Sequence, residues 1–230
     1  MKTIGIIGGI GPESTIDYYR RLLAAYGQRR PGEAAPAIII NSIDVRKLLA
    51  LAAGQHDRLT EYLLDEIARL HRAGAQIGLL AANTAHVVFN EVSRRSPVPL
   101  VSIVAATCAR AKSLGLKRLG LFGTRFTMQG RFYPELFERE GLTLITPNAD
   151  EQTYIHDKYM TELIPGQFLP QTRARLLKIA SRMKQQDGID GLILGGTELP
   201  LILTDSTPVG LPFLDTTEIH VNAILAQALE

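Results

Sequence analysis

Short apolar runs alternate along the chain with longer stretches whose apolar residues recur at helical spacing. In the first half, residues 4–7, 37–40, 77–80 and 100–103 read as strands. Between them, residues 14–26 place Ile16, Tyr19, Leu22 and Leu23 at helical intervals, and residues 59–71 do the same with Leu59, Leu63, Ile67 and Leu70. Residues 83–93 read as a further helix. The second half replays the pattern, with strands at 119–122, 142–145, 191–194 and 212–214 and helices at 127–140, 150–163, 169–186 and 216–229. Near-continuous apolar strands joined by helices predict an α/β fold whose parallel sheets are covered on both faces.

The replay has a register. Residues 77–84 (Ile-Gly-Leu-Leu-Ala-Ala-Asn-Thr) match 190–197 (Asp-Gly-Leu-Ile-Leu-Gly-Gly-Thr) 113 residues later. Residues 97–100 match 210–213 at the same interval, and 5–8 match 120–123 at 115. An interval near half the chain predicts two pseudo-symmetric parallel-sheet domains, 1–102 plus 215–230 and 103–214, with a ligand cleft between them. In such sheets ligands bind beyond the carboxyl ends of the strands.

Composition narrows the function. Hydrophobic residues make up 46% of the 230, enough for a sizeable core. A formal charge of +2 offers no strong field, so neither nucleic acid nor a membrane surface is expected as partner. The single cysteine excludes a disulfide framework and a cysteine-rich metal site. No apolar run approaches the ~20 residues of a membrane span, and the amino-terminal stretch is too short for a signal peptide. The expected setting is the cytoplasm.

Chemistry gathers at the strand ends. Gly8-Gly9-Ile10-Gly11-Pro12 leaves the first strand and opens a helix, with Ser14 and Thr15 following. Glycines there allow close backbone approach to a ligand, or simply a tight turn. A dinucleotide loop would need a third glycine where Ser14 stands, and an acidic residue about 20 positions on. Asn83 and Thr84 follow the third strand, Thr124 and Thr127 follow the fifth, and Thr197 follows the seventh. Hydroxyls, an amide and open helix N–H groups suit a small anion, although Asn and Thr also suit simple capping. No lysine occupies a ligand-facing strand-end motif for pyridoxal phosphate, and the five histidines show no metal-ligand spacing. No cofactor and no metal are expected.

Taken together, Gly8-Gly9-Ile10-Gly11-Pro12, Asn83-Thr84-Ala85-His86, Gly123-Thr124 with Thr127, and Gly196-Thr197-Glu198 resemble the aspartate/glutamate racemase family along the whole chain. The resemblance implies a cofactor-independent, pyridoxal-phosphate-free enzyme of two α/β domains. It would take an amino acid in the interdomain cleft and work as a homodimer. It places Gly9, Gly11, Pro12, Asn83, Thr84, Thr124, Thr127 and Thr197 at the substrate, with Arg46 clamping its distal carboxylate. It also implies two catalytic cysteines, at positions 82 and 196, acting as base and acid.

This chain has Ala82 and Gly196 there, and neither side chain carries a proton. His86 and Glu198 are the nearby groups able to act as acid or base. Cys108 reads as a packing residue inside a helix. Two-thiol racemisation is therefore not expected. A silent small-carboxylate binder, or a lyase or isomerase using other residues, stands beside racemase membership.

Overall fold

The computed structural model describes residues 1–230. Its first half runs β1 (Ile4–Gly8), α1 (Pro12–Arg29), β2 (Ile38–Ser42), α2 (Val45–Ala52), α3 (His56–Arg72) and β3 (Ile77–Leu80). A 3₁₀ turn (Thr84–Val88) then leads to α4 (Phe89–Arg95), β4 (Leu100–Val101) and α5 (Ile103–Ser113). The second half runs β5 (Arg118–Gly123), α6 (Arg125–Gln129), α7 (Phe132–Arg139), β6 (Thr143–Ile145) and α8 (Ala149–Lys158). A π-helical turn (Tyr159–Leu163), α9 (Pro170–Arg182) and a second π turn (Met183–Asp187) follow. β7 (Gly191–Gly195), α10 (Leu199–Ile202), β8 (Phe213–Asp215) and α11 (Thr216–Ala228) complete the chain.

The strands form two four-stranded parallel sheets with the same order, β2-β1-β3-β4 and β6-β5-β7-β8. The chain divides into two compact units, Met1–Ala106 with Thr217–Glu230, and Thr107–Thr216. The first division falls inside α5. The second falls at 216/217, at the start of α11.

In the first unit, successive residues of β1 serve opposite faces, as the period of a strand requires. Ile4 and Ile6 pack with Tyr18, Leu22 and Tyr26 of α1 and with Val221, Ile224 and Leu225 of α11. Ile7 packs on the other face with Leu48 of α2 and with Leu59, Leu63 and Ile67 of α3. In the second unit, Phe122, Leu192 and Leu194 pack with Ile155 of α8 and with Leu176 and Ile179 of α9.

The sheet registers correct the repeat interval. Ile7 pairs with Leu80, and Phe122 pairs with Leu194. Ile7 and Phe122 are themselves equivalent, so β3 and β7 are related by 114 residues, not 113. Ala82 is thereby equivalent to Gly196, each two residues past its reference pair. At β4 and β8, Leu100 opposite Gly78 and Phe213 opposite Leu192 keep the 113 interval.

Three helix expectations also change. Residues 83–93 are not one helix but a 3₁₀ turn followed by α4. Residues 127–140 divide into α6 and α7, because Gly130 turns extended (ψ 153°) where a Cβ would meet the Phe126 carbonyl. In α1 the buried stripe is Ser14, Tyr18, Leu22 and Tyr26, while Ile16 and Tyr19 are exposed. Helical spacing admits both stripes, and packing selected the one whose phenols find partners. Tyr18 Oη meets His220 at 2.9 Å, and Tyr26 Oη donates to Glu33 at 2.8 Å.

Candidate functional site

Every predicted site residue follows the carboxyl end of a strand or opens the next helix. In the first unit, Gly9 and Gly11 form the turn after β1 with φ of 79° and 102°, the left-handed region open to glycine. The turn is bonded to itself. Gly9 N–H donates to Thr15 Oγ1 at 2.9 Å, and Ser14 Oγ donates to the Gly11 carbonyl at 2.9 Å. Pro12 begins α1, where its missing N–H removes no helix bond. Arg46 lies in the first turn of α2, exposed, behind the Asp44 cap that accepts its N–H at 2.8 Å.

Beyond β3, Ala82, Asn83, Thr84 and His86 are all buried. The Asn83 side chain makes no capping bond to the turn it precedes, so capping does not account for it. His86 stacks on Phe89 with centroids 4.7 Å apart. Its Nδ1 lies 2.9 Å from the Ala82 carbonyl, and its Nε2 accepts the Ile103 N–H at 3.2 Å. This pattern assigns the proton to Nδ1. Burial, and then the neighbouring His220, push its pKa down to about 3. A neutral ring with both nitrogens given to backbone clamps the end of β3 to the start of α5.

His220 is also held at both nitrogens, Nδ1 by Tyr18 Oη at 2.9 Å and Nε2 by the Val101 carbonyl at 2.8 Å. Burial lowers its pKa to about 4.

In the second unit, Thr124 caps α6. Its Oγ1 accepts the Thr127 N–H at 3.4 Å and sits 3.3 Å from the Thr127 hydroxyl. Past β7, the Thr197 hydroxyl donates to Glu198 Oε2 at 3.1 Å. These hydroxyls therefore take part in bonds within their own loops. Glu198 is only 1% exposed and also accepts a short hydrogen bond from the Tyr159 hydroxyl. The Glu198 N–H in turn points to Tyr159 Oη at 3.4 Å. Burial, and then the Glu198 charge, raise the Tyr159 pKa well above the usual phenol value, so the phenol keeps its proton.

Tyr159 is absent from the sequence-derived site. It opens the π turn after α8, where its carbonyl accepts the Ile164 N–H at 3.0 Å. The ring lies over Gly196. A Cβ built there would meet Tyr159 Cε2, with Oη at 2.6 Å and Cζ at 2.8 Å. Gly196 is not among the positive-φ glycines, so space and not backbone conformation excludes a side chain.

Cys108 is buried in α5. Burial, and then Glu140, raise its pKa and keep it a thiol. No group of three or more His, Cys, Asp or Glu side chains is arranged to hold a metal. No helix is long and apolar enough to cross a membrane.

The family model for Asp/Glu/hydantoin racemases matches residues 7–224, spanning both sheets. The chain belongs to this family. It is similar to the broad specificity amino-acid racemase RacX of Bacillus subtilis, 23% identical over 223 residues, covering 93% of this chain and 92% of that one. An aspartate racemase homologue from Pyrococcus horikoshii OT3 is 33% identical, with a TM-score of 0.84 and full coverage of both chains. The aspartate racemase of Picrophilus torridus shares the fold at 19% identity and a TM-score of 0.81, covering 99% of this chain and 94% of that one. Within the family frame, the two strand ends where the sequence resemblance implied thiols carry a methyl group and a glycine covered by a phenol.

Proposed function

We propose that this family member binds an amino acid or another small carboxylate at the strand ends carrying Ala82-Asn83-Thr84 and Gly196-Thr197-Glu198, without two-thiol racemisation. The observation carrying this reading is the pair of proton-free side chains at the equivalent positions 82 and 196, amid buried hydroxyls and an amide. Racemisation needs proton removal on one face of the α-carbon and delivery on the other. Cys108, the one thiol, is a buried residue of α5 outside both strand-end motifs. Arg46, whose planar guanidinium suits bidentate carboxylate recognition, is the residue proposed to hold a distal carboxylate. The same reading has the protein acting as a homodimer in the cytoplasm, without pyridoxal phosphate.

Thermal shift and titration calorimetry with the D and L forms of aspartate, glutamate, lysine and alanine test the binding. At least one raises the melting temperature, and chiral chromatography finds no antipode. A chain that racemises aspartate or glutamate rapidly and loses that activity to a thiol reagent overturns the proposal. Light scattering showing only monomer removes the dimer.

A further inference from the structure

The Gly196 strand end is not empty. The Tyr159 hydroxyl lies 2.6 Å from where a side chain at 196 would begin, and it is bonded to Glu198, two residues further along the same loop. Ring and carboxylate are both buried, at 4% and 1% exposure, and the ring belongs to the apolar cluster of its unit. Tyr159 sits where the helix widens by one residue into a π turn, a distortion that re-aims side chains and recurs at functional sites. The loop thus brings an ionisable oxygen to the place a residue-196 side chain would have filled.

We propose, resting on the small-carboxylate reading above, that the Tyr159 phenol carried by Glu198 is the proton-carrying group at this strand end. We infer from it that the protein exchanges the α-hydrogen of one enantiomer of its ligand with retention. The bookkeeping is a relay. The ligand's α-C–H bond breaks and its electron pair passes into the carboxyl group as an enediolate. The released proton binds Tyr159 Oη as the phenol's own proton moves to Glu198 Oε2. Reversal restores the C–H bond and returns both protons. Deuterium reaches the α-carbon when the captured proton on the Tyr159–Glu198 pair exchanges with solvent while the enediolate stands, so that the return step delivers a deuteron. Ala82 supplies no proton, and both His86 nitrogens are held by backbone. A single carrier returns the proton to the face from which it came, so configuration is kept.

The test is incubation of the native protein in D₂O with each enantiomer of aspartate, glutamate, lysine and alanine. Loss of the α-hydrogen is followed by NMR and the antipode by chiral chromatography. One enantiomer is expected to exchange with no antipode formed. Tyr159→Phe keeps the ring over Gly196 and is expected to slow exchange about 10²–10⁴-fold, while the ligand-induced melting shift survives. Glu198→Gln, which keeps the shape but removes the proton acceptor, is expected to give the same loss if the phenylalanine variant folds poorly.

A ligand that raises the melting temperature yet shows no exchange overturns the relay and leaves the binding proposal standing. Exchange at the native rate in folded Tyr159→Phe, or accumulation of the antipode, also overturns it. If none of the eight compounds shifts the melting temperature or exchanges, the binding proposal falls and the relay falls with it.

Discussion

At the end of β3, the Ala82 carbonyl is bonded to a neutral imidazole. At the equivalent end of β7, the Cα of Gly196 lies beneath a phenol tied to a carboxylate. The two loops descend from the same strand order and the same register, yet they close in different ways. The first uses a histidine whose two ring nitrogens both bond to backbone, so the ring holds the chain in place. The second buries a titratable pair, which is costly unless the partners are well bonded. The contrast shows that repeat equivalence fixes where a side chain stands, while packing decides what chemistry reaches that point.

The comparison breaks most visibly at His86. His86→Ala removes the ring that bonds to the Ala82 carbonyl and the Ile103 N–H and leaves a cavity. A loss of about 3–5 kcal/mol is expected from these combined effects. Urea unfolding of the variant checks it, and a change below about 1 kcal/mol would show the clamp to be incidental.

Gly196→Ala is next. Its Cβ collides with a rigid buried ring, and overpacking of this kind typically removes ~1–3 kcal/mol. The same change at Ala82 has no counterpart, since a methyl group is already there. In a Tyr159→Ala background the penalty at 196 is expected to vanish, a non-additivity that a double-mutant cycle reads directly. Equal penalties in the two backgrounds would falsify the contact. By the same geometry, Ala82→Cys combined with Gly196→Cys is not expected to create racemisation while Tyr159 occupies the space.

The pH dependence separates the loops more gently. His86 and His220 are neutral when folded, with pKa values near 3 and 4, and take up protons below about 6.5 when unfolded. The unfolded state therefore binds more protons as pH falls through 6.5, and stability is lost in that direction. The slope approaches 1.4 kcal/mol per unit for each histidine. Unfolding midpoints at pH 7, 6 and 5, above most carboxylate titrations, follow it. A midpoint unchanged over that range contradicts the burial of both rings as neutral groups.

The smallest stability effect is expected at exposed Arg46, where Arg46→Ala changes folding by less than about 0.5 kcal/mol. Its signature lies in ligand binding. A dicarboxylate such as aspartate should lose affinity while alanine does not, and calorimetry with both decides whether the guanidinium meets the distal carboxylate.

Much of this protein was legible in the sequence because the deciding forces are local. Apolar runs of four or five residues, separated by helices, specified two parallel sheets. The stripe Leu59, Leu63, Ile67 and Leu70 specified the buried face of α3. The strand-end motifs carried the family. Other features needed the folded chain. Residues 16–26 offered two apolar stripes, and only contact with the sheet chose between them. The repeat interval was misread by one residue at β3 and β7 because sequence identity follows matching letters, whereas hydrogen-bond register follows strand geometry. Tyr159 lies 39 residues from Glu198, and His86 lies 17 from Ile103. No periodic signal links such pairs, because the π turn that aims the ring and the packing that fills the space over Gly196 arise only when distant segments share one core.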